Sequence, residues 1–248
     1  MYPHEYRTMR SVEDTHWWYR GLRTLVWQTL RSLGADAASC RILDAGCGTG
    51  GAMLEVNRHI PGAQLFGIDP SELAIGEARE RHAGWLARAS ADKLPFGSEC
   101  FDFVLSLDVL YIDGVDDQKA LAESYRVLKR GGSVIVNVPA FEFLRGEHDR
   151  AISTARRYTR SGLQKMLSAN GFSVQRLTYW NTTLFPIVAI WRPLSRLRSN
   201  NSTPVSDLKP LPKWMNGILS SLILTETKAA QSISLPIGSS VFGIARKS

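Results

Sequence analysis

The stretch LDAGCGTGG at 43–51 sets Gly46, Gly48, Gly50 and Gly51 behind one acid, Asp44. Glycines let the backbone turn sharply and keep no Cβ between a ligand and the main chain. Asp69 ends the next apolar run, QLFGID, where a carboxylate can accept hydrogen bonds from ribose hydroxyls. Together these residues point to nucleotide binding. Read literally, Gly46, Gly48 and Gly51 satisfy the dinucleotide pattern G-x-G-x-x-G. Asp44 argues for a different ligand. A pyrophosphate disfavours a carboxylate there, whereas a ligand with an amino-acid end and a cationic sulfur favours one.

A second group lies at 141–159, FEFLRGEHDRAISTARRYT. His148 and Asp149 can form a base with an orienting carboxylate. Arg156, Arg157 and Tyr158 can hold an anionic acceptor, with arginine as a fork. The same residues can equally form a salt-bridged surface loop, with Tyr158 stacked on the next helix. Tyr111, just past the apolar run FDFVLSLD, is the third candidate catalytic group. HWWYRGLR at 16–23 gathers Trp17, Trp18, Tyr19 and Arg20, as core, membrane foot or lid. His59 and His82 fall at helix ends, where the helix dipole explains them. His4 falls in a frayed terminus. Cys47 reads as a small buried loop residue.

The elements that must position these groups alternate. A helix is predicted over 11–33, started by Ser11 or Asp14 and stopped by Gly34. Strands follow at 40–46, 64–69, 85–90, 101–108 and 133–139, with helices near 50–58, 71–82 and 116–129 between them. Residues 140–157 read as a charged loop, 160–170 as a helix, and 172–180 and 239–247 as the last strands. Between those strands, helices at 183–198 and 212–230 flank the polar segment SNNSTPVSDLKPLP. Such alternation predicts a mainly parallel sheet covered on both faces.

The chain has 248 residues, 44% hydrophobic and 21% charged, which allows a sizeable core. No repeat or low-complexity linker divides it, so one domain is expected. MYPHEYRTMR has no apolar stretch after its charges, and runs such as LFPIVAIW are too short to span a bilayer. Cys40, Cys47 and Cys100 cannot all pair and lack metal-ligand spacing, so no metal and a cytoplasmic setting are expected. The net charge of +7 suits anionic partners or merely a solvated surface. No RNA-binding module is recognisable, so no nucleic-acid partner is expected.

Asp44-Gly46-Gly48-Gly50 resembles the first motif, D-x-G-x-G-x-G, of class I S-adenosylmethionine (SAM) dependent methyltransferases. FGIDPS at 66–71 looks like the second motif, ADKLPFGSECFDFVLSLDVL at 91–110 like the third and fourth, and YRVLKRGGSVIVNVP at 125–139 like the segment that follows. HWWYR and RRYT resemble a small-molecule subgroup associated with polysaccharide, glycolipid or natural-product pathways. The resemblance implies an α/β, Rossmann-like sheet of seven strands, mostly parallel, with helices on both faces. It implies an N-terminal lid helix (1–36), a SAM-binding core (37–180), a helical insertion (181–238) between the last two strands, and a final strand (239–248).

The resemblance also assigns roles. Asp69 would meet the ribose hydroxyls and Pro70 the adenine, with Ser90 and Ala91 on the adenine edge. Leu107, Asp44, Gly46, Gly48 and Gly50 complete the core of the cofactor site. Tyr19 or Arg20 would meet the cofactor carboxylate, while Trp17 or Trp18, with Arg157 and Tyr158, would face the acceptor. Three positions depart from the pattern: Ser90 where relatives often carry Asp, Ile112 where many carry His, and Thr154-Ala155 where a His often precedes R-R-Y-T.

The implied reaction moves a methyl group from SAM to O or N of a small acceptor: a sugar, a lipid-linked glycan or a natural-product intermediate. The alternatives are C-methylation of a hydrophobic acceptor, a dinucleotide-dependent oxidoreductase and a non-catalytic partner protein. The insertion reads as a cap on the sheet, half of a homodimer, or a contact with a membrane surface.

Overall fold

The structure, a computed structural model, describes residues 3–37, 39–198 and 211–248. Its centre is a seven-stranded sheet built from β1 (Arg41–Ala45), β2 (Gln64–Asp69), β3 (Trp85–Arg88), β4 (Phe101–Leu107), β5 (Leu128–Pro139), β6 (Phe172–Trp180) and β7 (Ser240–Lys247). The spatial order is β3-β2-β1-β4-β5-β7-β6. The first five strands are parallel, and β7 runs antiparallel between β5 and β6. The expected fold class is therefore the observed one. Side chains alternate across a strand, so neighbours such as Ile42 and Leu43, or Val134 and Ile135, enter opposite cores. Burial on both faces explains the continuous apolar runs.

Helices α1 (Pro3–Val12), α2 (Trp17–Ser32), α3 (Gly51–His59), α4 (Glu72–Glu80), α5 (Asp117–Val127), α6 (Glu147–Ala151), α7 (Arg160–Ala169), α8 (Phe185–Arg198) and α9 (Lys213–Ser232) complete the described chain. A 3-10 turn spans Glu142–Leu144. Leu22, Leu25, Val26 and Leu30 of α2 share a core with Ile223 and Ala230 of α9. Gly21 permits that contact, since a Cβ there would sit 2.7 Å from Ile223 Cγ1. Asn216 fastens the pair: its Oδ1 accepts from Trp17 N at 2.9 Å, and its Nδ2 donates to Thr15 O at 2.8 Å. The insertion thus buttresses the N-terminal segment.

Four local expectations change. The helix over 11–33 is two helices, broken by the turn before His16, whose side chain accepts from Trp18 N and caps α2. Neither Ser11 nor Asp14 caps it. His4 lies in the backbone of α1 instead of a frayed end. β5 starts at Leu128, five residues early, because Leu128 pairs with Phe101 ahead of a register shift. The loop at 140–157 contains the 3-10 turn and α6. Most of SNNSTPVSDLKPLP, residues 199–210, lies outside the described residues.

Candidate active site

β1 runs straight into the glycine loop. Gly46, Gly48 and Gly50 have φ of +105°, +53° and +79°, conformations that L side chains rarely adopt. The N–H groups of Gly46 and Cys47 both donate to Ile68 O at 2.8 Å, which folds the loop over the tip of β2. Asp44 is buried, and its Oδ1 has no hydrogen-bond partner. Burial, then the Asp69 charge, push its carboxyl up to about 7, against a smaller pull from Arg23. Burial, then the charges of Asp44 and Asp69, push the Cys47 thiol up, so it carries no thiolate nucleophile.

Asp69 sits at the next strand tip. Its Oδ2 accepts from Gly48 N at 3.1 Å, and its Oδ1 accepts from Ser71 N at 2.9 Å. A third donor is the hydroxyl of Tyr6 on α1, 3.2 Å from Oδ1. Ala89 N donates to Asp69 O at 3.3 Å, which brings the following Ser90 and Ala91 alongside. Ser90 is half-buried, Ala91 is buried and Pro70 is exposed. Leu107, also half-buried, ends β4 opposite Asn137.

Helix α1 as well as α2 lies against the glycine loop. A Cβ on Gly48 would lie 3.1 Å from Met9 Cε. Glu13, buried, accepts from Thr49 Oγ1 at 2.5 Å and is bridged by Arg23 and Arg81. Arg23 from α2 also lies over the Tyr19 ring at 5.5 Å and beside Gly51. Tyr19 and Arg23 are four residues apart and share a helix face. Arg20, about 100° from Tyr19, is exposed. The guanidinium turned toward the glycine loop is that of Arg23, while Arg20, proposed from sequence for the cofactor carboxylate, points to solvent. Trp18 packs against buried Trp180 with ring centres 5.8 Å apart, and Trp17 lies against His16.

The 141–159 segment is differently employed. Asp149 accepts from Gly146 N at 2.8 Å, from Arg157 Nε at 2.7 Å and from Arg192 Nη1 at 3.4 Å. Burial opposes ionisation, but the Arg157 hydrogen bonds and charge outweigh it and hold the carboxyl below its usual value. Asp149 thus anchors arginines, and His148 is half-buried on α6. Arg157 also donates from Nη2 to Asp149 and from Nη1 to Ala140 O at 2.7 Å, and its side chain is buried, so its fork is turned inward. Tyr158 OH donates to Leu110 O at 3.0 Å and lies 2.9 Å from Asp117 Oδ2, which fixes the start of α5. Of the two readings left open for this segment, the contacts of Asp149, Arg157 and Tyr158 match the salt-bridged one and form a structural clamp. Tyr111 is buried, and burial followed by the charge of Asp108 keeps its phenol protonated. It can donate a hydrogen bond but does not serve as a base.

Asp108 and Asn137 join the site without having been singled out from sequence. Asp108 stands just past the tip of β4 with φ +60°, only half-buried. Asn137 Nδ2 lies 3.1 Å from both its carboxylate oxygens, and Asp108 N donates to Asn137 O at 2.9 Å. Burial pushes the carboxyl up to about 7 despite that hydrogen bond. An acid closing an apolar strand was the available signal. Tyr6, Glu13 and Arg23 carried no such signal, since their roles depend on where α1 comes to rest. Among the described residues no group of three or more His, Cys, Asp or Glu is placed to hold a metal. None of their helices is long and apolar enough to cross a membrane.

Residues 43–136 match the family model described as a methyltransferase domain. The chain is 39% identical over 105 residues to a malonyl-[acyl-carrier protein] O-methyltransferase of Herminiimonas arsenicoxydans, covering 42% of this chain and 38% of that protein. It is 36% identical over 104 residues to a ubiquinone/menaquinone biosynthesis C-methyltransferase of Desulfotalea psychrophila, covering 40% and 42%. The chain thus spans about two-fifths of the length of these relatives. A solved Haemonchus contortus phosphoethanolamine N-methyltransferase 2, in complex with S-adenosyl-L-methionine, superposes with a TM-score of 0.55 at 21% identity, over 88% of this chain and 51% of that one. Residues 43–136 are thus similar to methyltransferase domains, and the solved neighbour shares the fold.

Proposed function

We propose that this protein transfers a methyl group from SAM to a small hydrophobic acceptor. The observation that carries the reading is the glycine loop between two carboxylates, one unpaired at Asp44 and one already accepting hydrogen bonds at Asp69. An orphaned buried carboxylate beside a Cβ-free loop fits a ligand with a cationic amino-acid end. Asp69 would hold the ribose, Asp44 the methionine end, and Tyr19 with Arg23 would close the lid. SAM supplies an electrophilic methyl; the protein's share is positioning and exclusion of water.

The hydrophobic acceptor is argued from the insertion. Ile187, Ile190 and Trp191 of α8, and Trp214 and Ile218 of α9, are more than half exposed, at 55–66%. The same apolar faces suit contact with a membrane surface or a second copy of the chain. Transfer to carbon is a second reading beside O or N, favoured by the similarity to a C-methyltransferase. The dinucleotide reading is disfavoured by the carboxylate of Asp44 where a pyrophosphate would lie.

The test is methyl transfer from labelled SAM to a panel containing a short-chain demethylmenaquinol, a malonyl thioester and free sugars. Label in the demethylmenaquinol supports the reading, and label in the malonyl thioester alone would point to an anionic acceptor instead. Label confined to sugars would sink the hydrophobic assignment.

A further inference from the structure

Asp108 has no cation paired with it among the described residues. Its one clamp, Asn137, is neutral: the amide fixes both carboxylate oxygens at 3.1 Å without cancelling their charge. Asn137 is fully buried, and its own Oδ1 has no partner. The φ of +60° at Asp108 adds backbone strain to this unusual placement. The next residue, Val109, packs against Gly46, and the Asp108 charge acts on Tyr19 of α2. Asp108 is partly exposed although its carboxyl group is largely desolvated, so a ligand can reach it from the open side. A fixed, uncompensated carboxylate at the wall of a site favours a cation there.

The methionine end of SAM carries two positive centres, an ammonium and a sulfonium. The thioether product keeps only the ammonium. Two carboxylates near the loop, Asp44 and Asp108, lack cation partners, and Asp44 at the loop's start answers the amino-acid end. We propose that Asp108, clamped by Asn137, sets the charge specificity of the site and favours the sulfonium cofactor over its uncharged thioether product. The proposal rests on the SAM reading above. Once the methyl has left, the site loses its counter-charge, and the product is held less tightly than the cofactor.

Calorimetric titration of the full chain with SAM and with S-adenosylhomocysteine, between about pH 5.5 and 8.5, tests this without knowledge of the acceptor. Asp108→Asn is expected to lower the SAM-over-product preference about tenfold or more, the scale of a hydrogen bond to a charged group. Product affinity should stay within about threefold, which also shows that the variant folds. In the wild type the preference should fall as pH drops through about 7. Tyr19 from α2 and Tyr111 after β4 feel the Asp108 charge, and burial, aided by Glu13 at Tyr19 and by Asp108 at both, keeps both phenols protonated in that range. Asp44 also titrates there, but it answers the end common to both ligands and cancels in the ratio. Equal weakening of both ligands in Asp108→Asn, or an unchanged ratio, would overturn the proposal. So would a flat wild-type ratio across the pH range, which decides the matter even if the variant fails to fold. Wild-type protein that binds neither ligand would overturn the cofactor reading itself.

Discussion

The hydroxyl of Tyr6 lies 3.2 Å from Asp69 Oδ1, so a residue near the N-terminus occupies the carboxylate that a ribose would need. The contact places α1 across the mouth of the glycine loop. Binding of a nucleoside must displace or share this hydrogen bond. Tyr6→Phe removes the competing donor and leaves the ring in place. It should tighten SAM binding several-fold, since a net hydrogen bond is worth on the order of 1 kcal/mol. Weaker binding in a calorimetric titration would show that the hydroxyl helps to hold the ligand.

Asp44 and Asp108 make ligand-free stability depend on pH with an unusual sign. Each has a folded pKa of about 7. The unfolded value is about 3.9, so between about pH 4 and 7 the native state binds more protons than the unfolded chain. Their contribution therefore weakens stability as pH rises through that window. Asp108→Asn should melt higher than wild type at pH 8, by about 2–4 °C for each kcal/mol recovered. The gap should close toward pH 4. Equal melting temperatures throughout would show that the buried charge costs nothing.

His16 carries the opposite dependence. It is buried at the start of α2, and burial lowers its pKa to about 4. The unfolded value is about 6.5, so its neutral form supports the fold above that pH, and the support is lost as pH falls toward 4. Tryptophan fluorescence of Trp17 and Trp18 should report loosening of α2 across that range. His16→Asn keeps a capping acceptor and should remove this acid step. An identical acid profile in the variant would assign the step to another group.

Arg157 distinguishes clamp from acceptor site. Its side chain is 3% exposed against 1% for Asp149. Truncating one partner of a buried pair leaves an uncompensated charge, at a cost of about 3–5 kcal/mol. Arg157→Ala should therefore shift the urea midpoint strongly while SAM affinity changes little in the folded fraction. A stable variant with only a raised acceptor KM would restore the substrate-binding role.

The sheet was legible because its strands are buried on both faces and separated by glycine turns, as in LDAG and KRGG. The glycine loop was legible for the same local reason: Gly46, Gly48, Gly50 and Asp69 lie within a few residues of each other or across one strand pair. At 148–158 the sequence left a catalytic group and a salt-bridged segment equally open. His148-Asp149 and Arg157-Tyr158 have the residue types of a catalytic site, and only the tertiary positions of Gly146, Ala140, Asp117 and Arg192 turn them into structure. That Arg23 rather than Arg20 turns toward the loop has a similar origin. Helical periodicity puts both near one face, and the break before His16 sets which of them meets Glu13.

The most direct measurement is the affinity of wild type and Asp69→Ala for S-adenosylmethionine, with NADH as the control ligand. Saturable SAM binding is predicted for the wild type, with none for NADH. Removing the Asp69 acceptor should weaken SAM by on the order of 1–3 kcal/mol. Saturable NADH binding without SAM binding, or an Asp69→Ala variant with undiminished SAM affinity, would contradict the account.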